Sequence, residues 1–306
     1  MNEKKLFIET YGCQMNMADS EVVASIMKMA DYSICENIEE ADAIFVNTCS
    51  IRDNAEQRVI SRLQYFNSLR RKNRRLIVGV LGCMAERVRE TLLNEHHADL
   101  VVGPDAYLDL PHLVASVENG EKAINVELSA TETYKQVLPT RIGGNRISGF
   151  ISIMRGCNNF CSYCIIPYAR GRIRSRKMDS IREEMVRLAE KGFKEIVLTG
   201  INLGCYSDGE KTLIDVIEMA DEIEGIERVR LGSLDPEVIT PDFVERIGKC
   251  RKICPHFHLS LQSGCNNTLK AMNRHYTAEE YFEKCEMLRS VFENPAFTTD
   301  IIVGFP

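Results

Sequence analysis

Phe150-Ile-Ser-Ile-Met154-Arg-Gly156-Cys157-Asn-Asn-Phe-Cys161-Ser-Tyr-Cys164 joins a short apolar run to three cysteines spaced C-x3-C-x2-C. Phe150 to Met154 reads as a strand, so the cysteines occupy the loop at its carboxyl end, where sites of β/α folds collect. Three thiolates fall one short of a closed structural zinc site, but they can hold a four-iron cluster by three of its irons. The fourth iron is then open to a chelating amino acid such as the methionine end of S-adenosylmethionine, a cofactor of radical chemistry. A zinc ribbon lacking its fourth ligand and a chance cluster of buried cysteines are the other readings. Placement at a strand's end favours the iron cluster.

Downstream, strands are expected at Glu195–Thr199, Arg228–Leu231, His256–Leu261 and Phe297–Val303, alternating with helices near Asp179–Lys191, Thr212–Ile223, Pro241–Lys249 and Ala278–Val291. Five strands in β/α order predict a (β/α) barrel or part of one, with the chain stopping as the fifth strand ends. Upstream, Leu6–Glu9, Ala43–Asn47, Leu76–Leu81 and Leu100–Val102 read as strands. Helices are expected over Asp19–Met29, Asn54–Leu69, Ala85–Asn94 and Tyr107–Glu118. That alternation is the mark of an open parallel α/β sheet. Periodicity fades between Ser129 and Gly149, and Pro139-Thr-Arg-Ile-Gly-Gly-Asn145 reads as a linker. The expected organisation is a first α/β domain over 1–128, a linker over 129–149 and an incomplete barrel over 150–306.

In the first domain Tyr11-Gly12-Cys13, Asn47-Thr48-Cys49 and Leu81-Gly82-Cys83 each set one cysteine beside a strand terminus. The ends of neighbouring parallel strands converge in space, so these three form a reasonable shared ligand set. A glycine precedes two of them and lets the backbone pass close to a bulky group. Cys35, Cys205, Cys250, Cys254, Cys265 and Cys285 lack such placement and read as structural or incidental.

The 306 residues are 44% hydrophobic and 27% charged, with a formal net charge of -6, which suits a globular chain with two cores and argues against a globally basic nucleic-acid binder. Positive charge is segregated into Arg70–Arg75 and Arg170–Lys177. No apolar run approaches the roughly 20 residues of a membrane span, and no targeting signal is visible, so a cytoplasmic protein without membrane contact is expected. Twelve cysteines spread through so long a chain point to metal or redox chemistry rather than a disulfide framework.

At these residues the sequence resembles the radical-SAM methylthiotransferases over essentially its whole length. Thr10-Tyr-Gly-Cys-Gln-Met-Asn-Met-Ala-Asp-Ser-Glu21, Asn47-Thr-Cys-Ser-Ile-Arg-Asp-Asn-Ala-Glu-Gln-Arg58 and Gly82-Cys-Met-Ala-Glu-Arg87 look like the MiaB branch, which acts on isopentenyl-adenosine in tRNA. Ser162-Tyr-Cys-Ile-Ile-Pro-Tyr-Ala-Arg-Gly-Arg172, Thr199-Gly-Ile-Asn-Leu-Gly204 and Ile253-Cys-Pro-His-Phe-His-Leu-Ser-Leu-Gln-Ser-Gly264 look more like the MtaB branch, which acts on threonylcarbamoyl-adenosine. The resemblance implies that Cys157, Cys161 and Cys164 hold the 4Fe-4S cluster that cleaves S-adenosylmethionine. It implies a second, auxiliary 4Fe-4S cluster on Cys13, Cys49 and Cys83. It also implies a tRNA anticodon stem-loop as partner, an electron donor such as flavodoxin or ferredoxin, and a barrel strand and tRNA-gripping β domain beyond Pro306. A ribosomal-protein methylthiotransferase and a non-catalytic metal-binding scaffold are the alternatives.

Tyr163 could pack on the cofactor's adenine or be a core aromatic. Gly200 and Asn202 follow the second barrel strand, where a glycine allows close approach and an amide could bond the amino-acid end. Ser233 and Gln262, after the third and fourth strands, are candidate polar contacts for ribose or methionine. Arg170, Arg172, Arg174, Arg176 and Lys177 could meet a carboxylate or phosphates, or form a solvated charged face.

Overall fold

The computed structural model describes residues 3–49, 53–143 and 146–306, without the side chains of 53–56. Ser50, Ile51 and Arg52 of the second cysteine motif, and Gly144 and Asn145 of the expected linker, lie outside the described residues. The chain divides into two compact units. One runs to Gly143 and takes in Tyr168–Gly171; the other holds the remainder to Pro306.

The first unit contains β1 (Lys4–Thr10), α1 (Gln14–Met29), β2 (Tyr32–Ile34), β3 (Ala43–Thr48), α2 (Asp53–Leu69), β4 (Ile77–Gly82), α3 (Cys83–Val88), α4 (Glu90–Asn94), β5 (Leu100–Val102), α5 (Leu110–Glu118) and β6 (Ala123–Asn125). Its strands form one parallel sheet in the order β2-β1-β3-β4-β5-β6. Successive residues of β3 feed opposite faces, as strand geometry requires: Ala43 and Phe45 join the core with Val23, Ile26 and Met27 of α1, while Ile44 and Val46 join Val59, Leu63 and Phe66 of α2. Every residue of β3 and β4 is buried, which explains the continuous apolar runs Ala43–Val46 and Ile77–Leu81.

Several expectations need correction here. β2 and β6 add two edges; each is three residues long, too short for a period-2 signal. The helix expected over Ala85–Asn94 is broken at Arg89, whose φ of 50° cannot continue a right-handed helix, and becomes α3 and α4. The segment expected as a linker is partly core. Tyr134 and Val137 are buried, and the Tyr134 ring stacks on Tyr107 at 5.5 Å while its hydroxyl donates to the Pro104 carbonyl at 2.9 Å.

The second unit supplies β7 (Ser148–Ser152), β8 (Met154–Arg155), then α6 (Ile166–Arg170), whose end belongs to the first unit, then β9 (Arg174–Ser175), α7 (Met178–Glu190), β10 (Glu195–Thr199), β11 (Ser207–Asp208), β12 (Lys211–Thr212), α8 (Leu213–Glu222), β13 (Arg228–Leu231), α9 (Pro241–Ile247), β14 (His256–His258), α10 (Asn266–Ala271), α11 (Ala278–Arg289) and β15 (Ala296–Thr298). β7, β10 and β13 pair in parallel. Backbone bonds from Val229 to Lys252 (2.7 Å) and Leu234 to His258 (2.9 Å) carry the ladder on to β14, which pairs in parallel with β15. The five strands therefore succeed one another in chain order, as the β/α pattern predicts. Thr212 with Asp215 and Thr277 with Glu280 form capping boxes that start α8 and α11, and Thr240 caps α9 ahead of Pro241. No helix among the described residues is long and apolar enough to cross a membrane.

Gly79 tests the sheet's packing. It pairs with Phe45 across β3 and β4, and a Cβ built on it would lie 2.8 Å from the Phe45 ring and 3.2 Å from Leu100. Valine suits strands by up to about 1 kcal/mol, but overpacking a filled core costs about 1–3 kcal/mol, so the steric effect wins. Gly79→Val should lower the denaturation midpoint of the apoprotein; an unchanged or raised midpoint would refute this packing.

Candidate functional site

In the first unit, Cys13 is the N-cap of α1, Cys49 follows β3 directly and Cys83 opens α3 after β4. β1, β3 and β4 are adjacent and parallel, so all three cysteines stand at one end of the sheet. Two glycines permit this crowding. Gly12 has φ +115°, and a Cβ there would sit 2.5 Å from the Cys49 Cβ; Gly82 has φ +90°, and its Cβ would meet the Asn47 side chain at 2.4 Å. Buried Asn47 knits the strand ends, donating at 3.0 Å to both the Asn16 carbonyl and the Ser20 hydroxyl.

The electrostatics differ from one thiol to the next. A hydrogen bond from Cys49 brings the Cys13 thiol down to about 5, helped by the Arg170 charge and by the backbone N–H groups of Asn16 and Met15. Burial pushes the Cys83 thiol up, and Arg170 opposes it. Arg170 is 1% exposed, its Nε 3.1 Å from the Cys83 sulfur and its Nη1 2.9 Å from the Asp19 carboxylate.

In the second unit Cys157, Cys161 and Cys164 lie in the loop after β8, close enough that Cys157 and Cys164 each feel the charge of Cys161. Burial raises both thiols first. The loop is tied to the end of α10: Ser162 bonds Met272 and Ala271, and Asn273 donates to the carbonyls of Asn159 and Phe160. Arg274 reaches the Cys161 sulfur at 3.3 Å, the Asp235 carboxylate at 2.8 Å and the Tyr276 hydroxyl at 2.9 Å. Sequence reasoning missed Arg274 and Asp235, since neither sits in a recognisable motif.

The other sequence candidates gather at the same strand ends of this unit, with differing environments. Tyr163 is 37% exposed and meets Phe305 edge-on at 6.4 Å; burial of its hydroxyl raises its pKa. Asn202 is buried, and its Oδ1 has no hydrogen-bond partner among the described residues. Ser233 and Ser260 share a hydrogen bond of 3.0 Å. Gln262 adopts φ 68° and bonds Asp300 and Ile302 through its backbone. Gly200 is small for a packing reason: a Cβ would lie 2.8 Å from Met154 and 2.9 Å from Leu203.

The Arg170–Lys177 run is divided: Arg170, Arg174 and Arg176 are buried, while Arg172 and Lys177 are exposed. Arg170 pairs with Asp19, Arg176 with Glu184, and Lys177 with Asp208 at 2.6 Å, while Arg172 stacks on Phe160 at 4.3 Å and Arg174 is buried. Burying a guanidinium requires such partners, which Asp19 and Glu184 supply to Arg170 and Arg176.

Among the described residues no three His, Cys, Asp or Glu side chains are gathered tightly enough to hold a single metal ion. Two sets of three thiols at strand ends, with an Arg donor on one sulfur of each, fit a cluster that takes each thiolate on a separate iron.

A parallel β/α unit opened by C-x3-C-x2-C defines a radical SAM protein, and the profile of the Radical SAM superfamily matches residues 151–306. The profile described as "Uncharacterized protein family UPF0004" matches residues 5–103. A Parabacteroides distasonis protein named tRNA-2-methylthio-N(6)-dimethylallyladenosine synthase is 58% identical over 99% of this chain and 67% of its own length. A Phocaeicola vulgatus protein of the same name is 56% identical over 99% of this chain and 67% of its own. Among solved structures, the radical S-adenosylmethionine methyltransferase TsrM from Kitasatospora setae shares the fold at a TM-score of 0.70 and 13% identity, over 98% of this chain and 67% of that one. Within the radical SAM class, the chain belongs to the tRNA-2-methylthio-N(6)-dimethylallyladenosine synthase family, and the match runs through both halves.

Close approach at Gly12 is measurable. Gly120 has a comparable φ of +92° with nothing within 4 Å of a built Cβ, so Gly120→Ala carries backbone strain alone, about 1–3 kcal/mol. Gly12→Ala should destabilise the apoprotein by more, because its Cβ also meets Cys49. Equal losses in the two variants would contradict the packed strand ends.

Proposed function

We propose that this chain is the catalytic body of a methylthiotransferase that installs a methylthio group at C2 of N6-isopentenyl-adenosine beside the anticodon of tRNA. The observation that carries the reading is the pairing of two strand-end cysteine triads with 58% identity to a synthase of that modification. Cys157, Cys161 and Cys164 would hold a four-iron cluster with an open iron, and Cys13, Cys49 and Cys83 a second. With S-adenosylmethionine bound, such a cluster supplies the one-electron chemistry needed at an adenine C–H that no side-chain base can ionise.

The chain's own residues position and shield. Arg274, held by Asp235, steadies Cys161; Asn202, Ser233, Gln262 and Tyr163 stand where polar and aromatic contacts to the cofactor would be made. The partners are the anticodon stem-loop of tRNA and a small reductant such as flavodoxin or ferredoxin, in the cytoplasm.

Carboxylate pairing of three cations in the Arg170–Lys177 run favours isopentenyl over threonylcarbamoyl. A threonylcarbamoyl group brings a carboxylate that needs a cation, and Arg170, Arg176 and Lys177 already hold Asp19, Glu184 and Asp208. In a host lacking its own methylthiotransferases, mass spectrometry of tRNA nucleosides should find methylthiolated isopentenyl-adenosine and unmodified threonylcarbamoyl-adenosine; the reverse pattern would overturn the substrate.

Each triad should carry its cluster independently. Replacing Cys157, Cys161 and Cys164 with Ala, or Cys13, Cys49 and Cys83, should remove about half the iron in either case. Surviving cleavage of S-adenosylmethionine after loss of Cys157, Cys161 and Cys164 would sink the assignment.

A further inference from the structure

We infer that Arg170 is a positioning residue for the cysteines of the first unit: one guanidinium fork fixes two of the three cysteine loops and donates a directed N–H to the Cys83 sulfur. The inference rests on the reading that Cys13, Cys49 and Cys83 are the ligands of a cluster. Arg170 ends α6, and Tyr168–Gly171 is the segment from beyond Gly143 that packs as part of the first unit. Its Nε lies 3.1 Å from the Cys83 sulfur, and its Nη2 donates to the Asn16 Oδ1 at 2.8 Å. Asn16 in turn donates its Nδ2 to the Tyr11 carbonyl at 2.8 Å, which fixes the turn that carries Cys13. Asp19, itself 1% exposed in its side chain, meets Nη1 at 2.9 Å and sets the plane of the fork.

This geometry makes Arg specific. A lysine ammonium could pair with Asp19, but as a single point charge it could not also reach Cys83 and Asn16 along the directions of a planar fork. Asp19 offsets much of the net charge, so what arrives at Cys83 is chiefly a fixed hydrogen-bond donor. Donors aimed at cluster sulfurs stabilise the more negative, reduced state and raise its reduction potential. Positioning and tuning are thus two effects of the same contact.

The test isolates one cluster. In full-length protein carrying Cys157→Ala, Cys161→Ala and Cys164→Ala, reconstituted anaerobically, the midpoint potential of the remaining cluster is followed by EPR. This parent is compared with its Asp19→Asn/Arg170→Met derivative, which removes the buried pair together, so that neither protein buries an unpaired carboxylate or guanidinium and the net charge is unchanged. The double variant should shift the potential negative and change the EPR line shape, or cause loss of iron at an unchanged melting temperature. The same potential, line shape and iron content in both would overturn the inference. If the double variant does not fold, Arg170→Lys replaces it with the same expected negative shift, and an unshifted potential again refutes the role. A parent protein without iron would instead sink the ligand assignment, and this inference with it.

Discussion

Gathering thiolates at the end of a parallel sheet is an electrostatic problem before it is a chemical one. Buried negative groups are costly unless charge or hydrogen bonds compensate them. Each unit answers in a similar way: Arg170 lies on Cys83 and is fixed by Asp19, and Arg274 lies on Cys161 and is fixed by Asp235. In both, the carboxylate holds the guanidinium in place and the guanidinium steadies a sulfur.

The parallel sheet supplies the rest. Because β1, β3 and β4 are neighbours running the same way, cysteines 36 and 34 positions apart in the chain meet without a dedicated loop (49 − 13 and 83 − 49). The central strands are apolar over Ala43–Val46 and Ile77–Leu81, and polar side chains enter at their carboxyl ends. The second unit solves the same problem with one compact loop, which it must then anchor from outside through Ser162, Asn273 and Arg274.

What the sequence discloses depends on the range over which each feature is encoded. C-x3-C-x2-C is local and could be read directly, and Cys13, Cys49 and Cys83 became legible through their shared placement after strands. The central strands and the capped helices α8, α9 and α11 were legible for the same reason, since periodicity and caps lie within a few residues. The three-residue edges β2 and β6 carry too little pattern. Tyr134 and Val137 gave no periodic signal because isolated side chains anchor that segment. Arg170 looked like part of a phosphate-binding run because its partners Cys83 and Asn16 lie 87 and 154 residues away. No window of sequence contains such a contact.

On the proposed reading, this chain builds two separate three-thiolate sites for iron-sulfur clusters. Metal analysis of the anaerobically reconstituted wild-type protein tests it most directly. Roughly eight irons and a matching amount of acid-labile sulfide per chain are expected, with negligible zinc. Zinc bound in place of iron, or only a single cluster's worth of iron per wild-type chain, would contradict it.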